Sequence, residues 1–161
     1  MNSDQIKQDY KNRMLYADVL LKKIKANYPV LKEKLDEINR YEGSYQGSIY
    51  RFYHYSFKVY RLQEMTQEIC DLLKLIHPID KKPDFCDIFQ EIIDDGKVGE
   101  FKIEHNKNWS KHTRPIVEAF LHAKYMLEMA VYFGDKLKNE KEAPNLLPQG
   151  WASLLELYNI R

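Results

Sequence analysis

Charge of one sign is the first thing this 161-residue chain lacks: 25 Lys and Arg stand against 24 Asp and Glu, for a net charge of +1. No global excess draws the whole molecule onto a polyanion or an acidic membrane surface. Glycine and proline are scarce, six of each, which excludes collagen-like and linker-like classes. Cysteine is scarcer still. Cys70 and Cys86 stand alone, too few for a disulfide framework, and both lie in apolar helical contexts where reduced, buried thiols are expected. No uncharged apolar run approaches the roughly 20 residues that span a bilayer. The start, Met1-Asn2-Ser3-Asp4-Gln5, is polar and has no apolar secretory core. The expectation is a cytoplasmic protein with no membrane partner.

What the chain does have is helical spacing and aromatic side chains. Ser3 or Asp4 can cap a first helix carrying Ile6, Tyr10, Leu15, Val19, Leu20 and Ile24 at three- and four-residue steps. Pro29 predicts a break, with a second helix over 30–41, and Gly43 to Gly47 a turn. From 48 to 77 the apolar seam of Phe52, Tyr55, Val59, Leu62, Thr66, Ile69, Leu73 and Ile76 predicts one long helix, stopped by His77-Pro78. A short helix is expected over 85–95 and an aromatic-anchored loop over 97–112. Thr113 can cap a second long helix with Pro115 in its first turn. Its seam of Ile116, Phe120, Ala123, Leu127, Ala130, Gly134 and Leu137 is rich in small residues that admit a close neighbour. A last helix is expected over 151–158.

There is no βαβ alternation and no repeat of fixed period. The fold class predicted is all-α, in a single domain 1–161. The economical arrangement is an antiparallel helical bundle with two long helices, about 48–77 and 114–139, and three or four shorter ones.

Chemistry is sparser. Glu118 and His122, four residues apart, share a helix face that continues through Tyr125, Met129 and Tyr132, while Lys124, Glu128 and Asp135 read as solvated. A pocket there would use His122 as acid/base, Glu118 as its orienting partner, and Tyr125 and Tyr132 as walls. Were the long helices antiparallel, Glu64 and Glu68 would complete it and His54 would lie nearer Tyr132. No Glu-x-x-His and no His-x-x-x-His occurs, so neither a di-iron carboxylate set nor a helical zinc pair is expected, and no cofactor is implied. Gly-x-Ser-x-Gly and phosphate-loop patterns are missing as well. Helical RNases of the HEPN group carry an Arg closely followed by His at a helix start. Here seven residues separate Arg114 from His122 and two separate Arg51 from His54, so that motif is absent.

Two local features remain. The segment 97–114 is basic, and its Lys102, Lys107, Lys111 and Arg114 with Trp109 between them suit single-stranded nucleic acid. Half of the 12 Tyr fall between residues 41 and 60. Tyr50, Tyr53, Phe57 and Tyr60, with His54, point in more directions than one packing face can bury. Either this helix is central and packed on several sides, or part of it meets a second copy of the chain or lines a small-molecule pocket, since Tyr favours surfaces dry at one end and wet at the other. The function expected first is therefore binding or interaction as a homodimer. The Glu118/His122 pocket, as enzyme or small-molecule site, comes second, and nucleic-acid binding through 97–114 third.

Overall fold

The computed structural model describes residues 2–79, 82, 86 and 109–139. Every regular element among them is an α-helix: α1 Ser3–Glu42, α2 Ile49–Ser56, α3 Val59–Ile76 and α4 Trp109–Asn139. The helix expected over 151–158, and all of that over 85–95 save Cys86, lie outside the described residues.

The longest helix is not one of the two predicted. α1 runs unbroken for 40 residues, about 60 Å, straight through Pro29. Proline costs a helix one N–H bond and crowds the preceding turn. Here Pro29 faces solvent while Leu31, Leu35 and Ile38 after it, and Leu20, Leu21 and Ile24 before it, are all buried. Packing on both sides holds the helix through the defect. Asn2, rather than Ser3 or Asp4, caps it: its side chain accepts from the Gln5 amide at 2.8 Å, and Gln5 accepts from the Asn2 amide at 3.3 Å. Gly43, with φ of +53°, ends it.

The predicted helix 48–77 is two helices. Phe57 and Lys58 are extended, with ψ of 142° and 147°, and the chain turns between them. α3 buries Val59, Leu62, Met65, Ile69, Leu73 and Ile76 along one face. Its C-terminal cap carbonyl, at His77, accepts from the Lys23 ammonium at 2.8 Å, a cation at the negative helix end. α4 begins earlier than predicted, at Trp109, so Thr113 is a buried position inside it rather than its cap.

Side-chain pairs give the directions. Along α1, Lys23, Lys34 and Glu37 meet His77, Glu68 and Arg61 in turn, so α3 runs opposite to α1. Tyr28 bonds Asp135 and Glu42 pairs with Lys124, so α4 also runs opposite to α1. α3 and α4 therefore run the same way, contrary to the expectation that they oppose each other. Glu68 faces α1, where it holds Lys34 at 2.8 Å, and Glu64 pairs with Arg61 of its own helix at 3.2 Å; neither is joined to His122 or Glu118. Burial works against the Lys34 ammonium, but hydrogen bonds to Glu68 and Glu37 outweigh it and raise its pKa.

The small-residue seam behaves as read. Ala123, Ala130 and Gly134 are buried, and Gly134 lies under the Tyr28 ring. A Cβ on Gly134 would stand 2.4 Å from Tyr28 Cδ2 and 2.9 Å from Cε2. That ring cannot swing aside cheaply, because its hydroxyl donates to Asp135, which raises its pKa to about 12. At an open helix site, alanine for glycine gains about 1 kcal/mol. In this protein Gly134→Ala is expected to lose about 1–3 kcal/mol through overpacking, measured as a lower urea midpoint. With Tyr28→Ala in the same chain, the change becomes neutral or stabilising.

Candidate functional site

The break at Phe57-Lys58 lets α2 lie across the first half of α4, and both faces of α2 are aromatic. Tyr53 points inward. It is fully buried, its ring centroid is 4.6 Å from that of Phe120, and its hydroxyl donates to Glu42 at 2.7 Å. Burial first, then that bond, push the hydroxyl far above the usual tyrosine range. Glu42 also holds the Lys124 ammonium at 2.6 Å, with side chains only 15% and 9% exposed. Lys124 is thus part of the interior, not the solvated position its charge suggested. Phe52 and Phe57 complete the inner cluster with Tyr41 and Tyr45, at centroid distances of 5.0 to 5.6 Å.

The other face of α2 opens on a pocket of about 460 Å³. α2 contributes Tyr50, Arg51, His54 and Tyr55, with Ser48 at its cap, and α4 contributes Arg114 and Glu118. Tyr50 stacks on His54 at 5.6 Å with 16° between the rings, and Tyr55 meets His54 edge-on at 4.6 Å. His54 is buried, and burial lowers its pKa, so at neutral pH it is an uncharged imidazole. Desolvation raises the pKa of Tyr50, while Arg114 and Glu118 across the pocket pull it in opposite directions. Arg114 Nε donates to Glu118 at 3.1 Å, an exposed pair that leaves the terminal guanidinium nitrogens of Arg114 for other partners. Arg51 is exposed and makes no ion pair among the described residues.

The residues predicted for a site are thus redistributed. Glu118 joins His54 and Tyr50, which the antiparallel expectation had placed apart. Because α3 runs with α4, and α2 lies across the first half of α4, Tyr50 and His54 reach Glu118. His122 does not line this pocket. It is exposed, although the protein around its imidazole displaces enough water to lower its pKa. Tyr125 and Tyr132 border a second groove of about 590 Å³, between α1 and α4, with Lys32, Asn39 and Glu128. Tyr60 is exposed on α3, and Phe57 is half-buried in the inner cluster. Lys102 and Lys107 lie outside the described residues. Trp109 and Lys111 start α4, with side chains outside the description, and Arg114 is the one member of the basic segment seen in a site.

Arg51 and Ser48 were not predicted. The signal was present: Arg51 and His54 are three apart on one short helix, as Arg114 and Glu118 are four apart on another. Among the described residues no three His, Cys, Asp or Glu gather as metal ligands, and no helix is long and apolar enough to cross a membrane. The chain matches no protein-family model, no curated protein and no solved structure.

Proposed function

We propose that the protein is a binding protein whose site is the α2–α4 pocket and whose ligand is a small organic anion. The observation that carries this reading is that Arg51 and Arg114, from two separate helices, line one cavity. Guanidinium groups present forked N–H donors that match phosphate and carboxylate oxygens. Neutral His54 adds an uncharged ring, and Ser48, at the start of α2, brings a hydroxyl close to a positive helix end. Self-association has less support than the aromatic block suggested. Tyr53, Phe52 and Phe57 are used within the chain, leaving Tyr55 and Tyr60 as the exposed aromatics of the 50–60 stretch.

Calorimetric titration with inorganic phosphate and pyrophosphate tests the proposal. Binding at about millimolar affinity or better is expected, weakening as salt rises. The Arg51→Ala/Arg114→Ala double variant, folded by circular dichroism, is expected to lose it at least about tenfold. Absence of binding to the intact protein, or equal affinity in the double variant, would overturn the reading.

A further inference from the structure

The pocket is much larger than its charge requires. Two guanidiniums can hold one phosphate, yet this open cleft measures about 460 Å³, within the size range of pockets that take whole organic ligands. What lines the remaining space is specific. Tyr55 borders the pocket and is 72% exposed. Glu118 places a carboxylate in the same cavity as the two arginines. Glu118 already accepts from Arg114 Nε at 3.1 Å, so it offsets part of that guanidinium's charge. A ligand that carries hydroxyl or amino donors a few ångströms from its phosphate would add a further partner on the remaining lone pairs of that carboxylate.

We infer that the ligand is a nucleoside phosphate: its phosphate on Arg51 and Arg114, its base on the Tyr55 ring, and its ribose hydroxyls or exocyclic amine toward Glu118. This rests on the anion-binding reading and narrows it. Each part answers one feature of the lining, and a mononucleotide is of a size to fill the cavity. The same chemistry comes from two sources, a free nucleotide or the phosphorylated end of a single strand.

The experiment compares inorganic phosphate, AMP, adenosine and a short 5′-phosphorylated oligoribonucleotide on the full chain. Base stacking on an aromatic ring strengthens binding by about fivefold to a hundredfold. AMP should therefore bind more tightly than phosphate by that factor. Tyr55→Ala should bring AMP affinity down to that of phosphate on the same variant, while Tyr55→Trp should keep the gain. An oligonucleotide binding at least as well as AMP assigns the source to a strand end. Exclusion of the oligonucleotide while AMP binds assigns it to a free nucleotide. If phosphate binds and AMP gains nothing, the nucleotide inference is wrong and the anion site stands. If neither binds, both fail. A gain that survives Tyr55→Ala also overturns the placement of the base.

Discussion

Lys124→Met is expected to cost about 3–5 kcal/mol, a fall in urea midpoint large enough to leave the variant marginal. The size follows from what remains behind. Glu42 keeps its hydrogen bond from Tyr53 but loses the ammonium at 2.6 Å, and its carboxylate is only 15% exposed. A charge shut in without its counter-charge is penalised far more than the pair itself contributes. The double variant Lys124→Met/Glu42→Gln should therefore recover most of the loss, which a simple packing defect would not allow. Lys22 provides the contrast. It pairs with Asp18 at 2.9 Å in solvent, and Lys22→Met should change stability by less than about 1 kcal/mol. Similar small effects at both lysines would mean that water reaches the Glu42 carboxylate freely.

Phe120→Ala should be equally severe, at about 3–5 kcal/mol. Phe120 is fully buried, and its ring carries Tyr53, the inward anchor of α2. Removing it leaves a cavity under an eight-residue helix that depends on tertiary support, since helices this short do not persist alone in water. The expected result has two parts: a lower thermal midpoint, and weaker phosphate binding at temperatures where the variant is still folded, because α2 holds half of the pocket. Tyr60→Ala, at an exposed position on α3, should change stability by no more than about 0.5 kcal/mol and leave binding intact. A Phe120→Ala protein that is destabilised yet binds normally would separate the site from the seating of α2.

Among the described residues helical character was legible almost throughout, because three- and four-residue apolar spacing is imposed by burial itself. The close approach at Gly134 was legible for the same reason, since a run of small residues predicts a near neighbour. Boundaries were less so. Pro29 is a strong local signal, overridden because the residues on either side are packed. At Phe57-Lys58 the reverse holds: no proline or glycine marks the break, and the apolar seam passes through it. The turn is set by where Phe52, Tyr53 and Phe57 find partners, which only the assembled protein decides. Lys124 was misread because a charge at helical spacing usually marks the wet side, and its partner Glu42 lies 82 residues away in sequence. The pocket was half visible. Its residues were noticed as Glu118, as Tyr50 with His54, and as Arg114, in three separate groups, since a seam predicts faces and not the direction of the neighbouring helix.

The two helices that run opposite to α1 reach it across very different lengths of chain. Contacts between α1 and α3 join residues such as Lys34 and Glu68, 34 apart, whereas Tyr28 and Asp135 are 107 apart. Closing the longer loop costs more entropy and is slower, so α1 and α3 can pair well before α4 docks. On the ribosome, α4 emerges only after that pair has had time to form. Arg114 and Glu118 arrive with it. The pocket therefore cannot form before α4 docks, and a nascent chain that stalls before α4 carries Arg51 and His54 without Arg114 and Glu118.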